Sequence, residues 1–317
     1  MPEPVILCVS ANPGMDRRLH LKSIVVGGIN RARTAQGFAG GKAAHVAMAA
    51  RALMSKTVWI AFLGGAIGQE CAHQMESLDV RVVSVPTAAP TRVNLEIIAD
   101  SGEITEILEP GGKPAPGEAQ EFLLRCREEI ESAGQRALLV ISGRLPSGVA
   151  PDLYASLIEA ARARGVETFV DTSGEALRIS VEAKPRFVKA NREEAEELTG
   201  KPIRTIQDAV AAAQEIIRGG AASAAITLGA EGLIWVETKN GPVWKAQPPH
   251  LKVISTVGCG DATLAGFAHA AVQGIAGEKA IRLAAACGAA NCSAFAPGRI
   301  ELAVVNALLP QIELKQI

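Results

Sequence analysis

The residues with the most chemical content are Gly258-Cys259-Gly260-Asp261, which lie between Thr256-Val257 and an alanine-rich apolar run over 262–272. Small residues just before a helical run make a tight turn that opens a helix. Backbone N–H groups at such a turn can approach an anion closely, and the helix N-terminus adds positive partial charge. A carboxylate in that cradle is poorly suited to bind the anion. It is well suited to act on a neighbouring hydroxyl, so the pattern points to phosphoryl transfer.

Other candidate residues follow apolar runs. Asp16, in Asn12-Pro13-Gly14-Met15-Asp16, comes after the first of these and could accept hydrogen bonds from sugar hydroxyls; a solvated turn aspartate would read the same way. Gly40-Gly41-Lys42 opens a helical stretch. It is not a P-loop, because Gln36 stands where the first glycine is required and Ala43 where Ser or Thr is required. No GxGxxG follows the first strand either, which removes the dinucleotide fingerprint. Asn191, with Glu194 three positions later, fits a helix cap as well as a metal-water contact. Thr227, Gly229 and Gly232 form a glycine loop that could touch a ligand or simply turn the chain.

The elements that must position these groups alternate. Nearly unbroken apolar runs predict strands over 5–10, 58–63, 138–142, 168–171, 187–189 and 225–228, as expected for parallel strands buried on both faces. Between and after them, helices are predicted over 42–53, 69–78, 118–132, 152–164, 192–199, 208–218, 262–272 and 278–294. This is an α/β pattern with a parallel sheet covered on both faces. Residues 17–39 and 91–108 depart from it. Their polar/apolar alternation predicts antiparallel strands of a small separate sheet that could serve as a lid or a dimer surface, or else extend the main sheet at its edge.

Composition narrows the function classes. The chain has 317 residues, net charge −1, 48% hydrophobic and 3% aromatic content. There is no basic footprint for nucleic acid and little aromatic surface for stacking bases. The six cysteines form no CxxC pair, which predicts reduced thiols and a cytoplasmic protein. No run reaches the length of a membrane span, and the first residues lack the pattern of a signal peptide.

In order, the chain reads Asn-Pro-x-x-Asp, Gly-Gly-Lys, Thr-Arg-x-Asn, Ser-Gly-x-Leu-Pro, Asp-Thr-Ser-Gly, Asn-x-x-Glu, Thr-Leu-Gly and Gly-x-Gly-Asp. This succession resembles the ribokinase-like (PfkB) sugar kinases over nearly the whole chain. Ser142-Gly143-Arg144-Leu145-Pro146 and the run from Asp171 to Leu177 look most like the 1-phosphofructokinase and tagatose-6-phosphate kinase branch. The resemblance implies one ribokinase-like domain over 1–317, a three-layer α/β/α sandwich with a β-sheet lid. It implies an ATP- and Mg2+-dependent kinase of a hexose phosphate, with Asp261 as general base and the amides of Gly258, Cys259 and Gly260 as the anion hole.

On the same resemblance, Asp16, Gly40, Gly41, Asn94 and Ser142 fall at the sugar. Lys42, Arg31 and Arg92 fall at its phosphate. Asn191, Thr227, Gly229, Gly232, Thr256 and Asn291 fall at the nucleotide, and Glu194 at the metal. The pairing of lid strands implies a possible homodimer. Two residues depart from the related pattern: His45 replaces the usual asparagine after Gly-Gly-Lys, and Arg144 replaces a serine. Both are expected to bear on which sugar is bound and to leave the base untouched. A kinase of an unphosphorylated sugar or nucleoside, and a non-catalytic sugar-binding protein, are the alternatives.

Overall fold

The computed structural model describes residues 3–317. Strand β1 (Val5–Ser10) is fully buried. Its side chains alternate between two cores, with Ile6 and Cys8 entering one and Val5, Leu7 and Val9 the other. The chain continues through β2 (Gly14–Leu21), β3 (Thr34–Gly40), α1 (Lys42–Ala52), β4 (Lys56–Leu63), α2 (Gly65–Ser77), β5 (Arg81–Pro86), β6 (Arg92–Ala99) and β7 (Ile104–Leu108). Next come α3 (Glu118–Ala133), β8 (Ala137–Ser142), α4 (Leu153–Ala163), β9 (Glu167–Asp171), α5 (Gly174–Glu182), β10 (Phe187–Asn191), α6 (Arg192–Thr199), α7 (Ile206–Gly219) and β11 (Ala224–Thr227). The last part holds β12 (Leu233–Val236), β13 (Val243–Gln247), α8 (Cys259–Val272), α9 (Gly277–Cys292), α10 (Leu302–Leu308) and β14 (Glu313–Gln316).

The main sheet has ten strands in the order β14-β13-β12-β11-β10-β9-β8-β1-β4-β5. From β11 to β5 all neighbours are parallel, while β12, β13 and β14 continue the sheet antiparallel. Helices α1, α2, α8, α9 and α10 cover one face, and α3 to α7 the other. This is the α/β sandwich expected from the alternation, with the three layers that the resemblance implies. Strand order reverses at β1 and β8, and the crevice outside the carboxyl ends of such strands is where ligands bind in open α/β sheets.

The residues expected to form a lid make a separate four-stranded sheet, β3-β2-β6-β7. Its outer pairs are antiparallel, as expected, but β2 and β6 at its centre run parallel, a correction to the sequence reading. The cause is topological. The chain crosses the main sheet through α1, β4, α2 and β5 between the two strands, and re-enters the lid in the same direction. A buried ion pair, Arg18 Nε to Glu96 Oε2 at 2.6 Å, ties these central strands together. Arg18 also donates to the Phe295 carbonyl at 2.6 Å, and the Ser255 hydroxyl donates to Glu96 at 2.5 Å, which fastens the lid to the loops flanking α8 and α9.

Candidate active site

Three elements converge on one line of charged groups. In the lid, Asp16 on β2 stands in register with Asn94 on β6, and the Asn94 amide donates to Asp16 Oδ1 at 2.8 Å. Gly40 ends β3 beside them. A Cβ at that position would lie 2.3 Å from the Asp16 carboxyl carbon, so only glycine lets the carboxylate lie there. Helix α1 starts at once, capped by Gly41, and carries His45 inward. His45 Nε2 is 2.7 Å from Asp16 Oδ2, and His45 Nδ1 is 2.8 Å from Asp261 Oδ2. Asp261 lies in the first turn of α8, whose N-cap Gly258 has φ 78°, a left-handed conformation that brings the chain sharply into the helix.

All three groups are buried. Burial disfavours the Asp16 carboxylate, but the hydrogen bond and charge of His45 and the Asn94 amide outweigh it and hold its pKa below the ordinary value. Burial likewise disfavours a charged imidazole. The two carboxylates reverse that and push the His45 pKa up to about 10. His45 therefore does touch the candidate base, against the expectation that it bears on the sugar alone. The two residues are 216 positions apart, and no local pattern could bring them together.

A second charged cluster lies beside the first. Lys42 Nζ bridges Asp171 Oδ1 and Glu194 Oε1, each at 2.7 Å, and Lys189 Nζ reaches Asp171 Oδ2 at 2.6 Å. Burial opposes ionisation of Asp171, yet Lys189 and Lys42 hold its pKa below the usual carboxylate value. The expectation that Lys42 grips a substrate phosphate is revised accordingly, because its ammonium lies between two carboxylates. Sequence reasoning missed Asp171 and Lys189 as site residues. The signal was present: each is a buried charge at or near the end of a mostly buried strand, Glu-Thr-Phe-Val-Asp and Phe-Val-Lys-Ala-Asn. A Cβ on Gly260 would come within 2.7 Å of Lys189 Nζ, which puts this buried ammonium directly against the turn of Asp261.

Glu194 and Asn191 form a complete capping box at the start of α6: the Glu194 N–H donates to Asn191 Oδ1 at 2.8 Å and the Asn191 N–H to Glu194 Oε2 at 2.9 Å. The cap reading is thus realised, and Glu194 Oε1 is left facing Lys42. Thr227 pairs in register with Asn191 at the adjacent strand end, and Gly229 and Gly232 shape the turn into β12. Thr256 is exposed, and its carbonyl accepts from the Cys259 N–H at 3.3 Å, so one amide of the expected anion hole is partly engaged. The Cys259 sulfur points to α9, 3.2 Å from the Cys292 sulfur. Asn291 is revised from an adenine ligand to a brace. Its amide donates to the Val257 carbonyl at 2.7 Å and its oxygen accepts from the Gly298 N–H at 2.8 Å, which consumes its polar atoms internally.

Among the described residues, the buried side-chain polar atoms without a hydrogen-bond partner include three of the expected sugar-site residues: Arg92 Nε, Asn94 Oδ1 and Ser142 Oγ. Such groups are costly to leave unpaired, so they are the atoms a ligand would satisfy. Arg92 is held by the Glu109 and Asn12 carbonyls at 2.7 and 3.2 Å. Burial lowers its pKa; the Asp16 charge opposes that, and the Arg144 charge adds to it, so the two guanidiniums feel each other. Arg144 is exposed and donates to the Ser173 hydroxyl at 3.0 Å. Arg31 stands exposed in the loop 22–33, with no hydrogen bond to the other site residues.

The family model described as pfkB family carbohydrate kinase matches residues 10–300. A 1-phosphofructokinase of Vibrio cholerae is 27% identical over 98% of this chain and 97% of its own length. A tagatose-6-phosphate kinase of Staphylococcus epidermidis is 30% identical over 99% of this chain and 100% of its own. The crystal structure of phosphofructokinase-2 from Escherichia coli in complex with fructose-6-phosphate superposes with a TM-score of 0.86 at 27% identity, covering 98% of this chain and 99% of that one.

Proposed function

The chain belongs to the pfkB family of carbohydrate kinases, and on that premise we propose that it transfers the γ-phosphoryl group of ATP to a hydroxyl of a hexose phosphate. The single observation that carries the substrate class is the unpaired buried Arg92 Nε, two residues along β6 from the Asn94 that bonds Asp16, with the Arg144 charge near enough to act on it. Two guanidiniums suit a dianionic phosphate, because each can donate in a planar fork. Asp16 and Asn94 offer an acceptor and an amide to the sugar hydroxyls between that phosphate and Asp261. The named relatives, which are kinases of sugar phosphates, support the same reading.

In the reaction, Asp261 takes the proton of the acceptor hydroxyl as its oxygen attacks the γ-phosphorus. The developing charge is met by the amides of Gly258 and Gly260 at the N-terminus of α8, with a weaker share from Cys259. The Lys189 ammonium lies against the same turn. Positioning and electrostatics supply most of the catalysis in phosphoryl transfer. Nucleotide contacts fall to Asn191, Thr227, Gly229, Gly232 and Thr256. Glu194 is the carboxylate that would face Mg2+, which usually keeps several waters and takes one or two carboxylates with substrate phosphates; both Asp171 oxygens are held by ammoniums. When bound, Mg2+ would neutralise charge on the transferring phosphates; Glu194 Oε1, which faces the Lys42 ammonium, has the charge to suit a cation.

Arg92→Ala and Arg144→Ala test the phosphate site. Each should raise KM for a hexose phosphate about tenfold or more, the loss expected of a charge-assisted contact, with KM for ATP unchanged. If both leave phosphosugar kinetics intact while an unphosphorylated sugar is turned over better, the substrate is a neutral sugar or nucleoside. Apolar side chains exposed on and beside the lid, among them Val26, Ile29, Ile107 and Leu108, favour pairing of two lids in a homodimer. No helix among the described residues is long and apolar enough to cross a membrane, and the cysteines are free, in keeping with a reducing, cytoplasmic setting.

A further inference from the structure

We propose that His45 is a positioning residue of the reaction: it donates one ring N–H to Asp16 and the other to Asp261, and so fixes the sugar-anchoring carboxylate and the base against each other. The inference rests on the reading of Asp261 as the base. Its geometry is independent of that reading.

Both ring nitrogens face carboxylate oxygens, at 2.7 and 2.8 Å. An ionised carboxylate only accepts, and a neutral imidazole donates from one nitrogen alone, so both contacts are satisfied together only by the imidazolium. The charges around the ring agree. Asp16 approaches from β2 and Asp261 from α8, Glu106 on β7 adds a more distant negative charge, and Lys42 on the same helix is neutralised by Asp171 and Glu194. Arg92 on β6 lies beyond Asp16, whose charge acts on it. Gly298 packs tightly on the backbone that carries the ring: a Cβ there would lie 2.7 Å from His45 Cα.

The consequence is a division of oxygens. With Oδ2 of each aspartate held by His45, Asp261 Oδ1 remains for the acceptor hydroxyl, and the base keeps its aim whether or not sugar is present. An asparagine at this position is shorter, and its single amide nitrogen cannot reach both carboxylates as the ring does. The departure at residue 45 therefore acts on the reaction as well as on sugar choice.

The test has two arms. In the first, kcat and KM are measured across pH for the wild type, His45→Asn and His45→Gln. The wild type should lose activity on the alkaline side near pH 10, where the imidazolium deprotonates. Both variants should lack that limb and show kcat lowered about 10- to 100-fold near pH 7.5, as expected for a misaimed base, with KM for ATP within about twofold. Variants that keep the wild-type alkaline limb and kcat would overturn the proposal. The second arm needs no variant to fold. With labelled histidine, one of the five rings should give imidazolium nitrogen shifts at pH 8, assigned to His45 by its loss in whichever variant is soluble or by contacts to Asp16 and Asp261. A neutral His45 ring at that pH also overturns it. Failure of the underlying function reads differently: Asp261→Asn would then retain its rate while the ring is still charged.

Discussion

Asp261→Asn should fold, bind ATP with near-normal affinity and lose about three orders of magnitude in kcat, close to 4 kcal/mol of transition-state stabilisation. The amide is nearly isosteric with the carboxylate, and its oxygen can still accept from His45 Nδ1, so α8 and its glycine turn keep their geometry. What disappears is the ability to take a proton. Because the carboxylate is buried at the first turn of α8, no neighbouring solvent-exposed group can substitute for it. The loss should fall on kcat with little change in KM for either substrate, the signature of an interaction made only in the transition state. Steady-state kinetics with a thermal melt as control separate this from misfolding; a variant within about tenfold of the wild type would remove Asp261 from its role.

Asp171→Ala should be the most damaging single change to stability among the site residues. Asp171 has no exposed surface and accepts from two ammoniums, Lys189 at 2.6 Å and Lys42 at 2.7 Å. Removing one partner of a buried ion pair leaves uncompensated charge and costs about 3–5 kcal/mol, a large part of a typical domain's stability. Asp171→Asn should cost less, since its oxygen can still accept. Adding Lys189→Met to Asp171→Ala should recover part of the loss, because the buried charge is then gone. The pH dependence has a definite sign. The folded pKa of Asp171 is depressed below its unfolded value, so its contribution is present above the ordinary carboxylate range near 3.9 and is lost as pH falls through the folded value. Urea midpoints for wild type and Asp171→Ala should therefore differ most near neutrality and converge in acid. Equal midpoints at pH 7 would mean that the lysines find other partners.

Much of this arrangement is legible in the residues. Unbroken apolar runs such as Val5-Ile-Leu-Cys-Val-Ser10 can only be strands buried on both faces, and they gave the parallel centre of the sheet its order of appearance. The antiparallel edge was not legible. Strands β13 and β14, Val-Trp-Lys-Ala-Gln and Glu-Leu-Lys-Gln, are short and mixed in polarity, and only pairing with β12 makes them strands. The parallel pairing of β2 with β6 escapes for a related reason: direction in a sheet is set by the path between strands, and alternation within each strand is silent on it. At the site, glycine turns and Asp261 stand out because their residue types are unusual where they occur. Lys42 illustrates the limit. The resemblance implied phosphate, but its ammonium is held by Asp171 and Glu194, which lie 129 and 152 positions away. A chain of ion pairs built from distant strand ends leaves no local trace.

The central claim is that this chain phosphorylates a sugar that already carries a phosphate. Initial rates of ADP release with Mg-ATP, over a panel of hexose monophosphates and their unphosphorylated parents, test it most directly. At least one hexose phosphate should be turned over with kcat/KM a hundredfold or more above that of its parent sugar, roughly the discrimination two guanidinium contacts can provide. Equal or better turnover of the parent sugars, or of a nucleoside, would contradict the account at its centre.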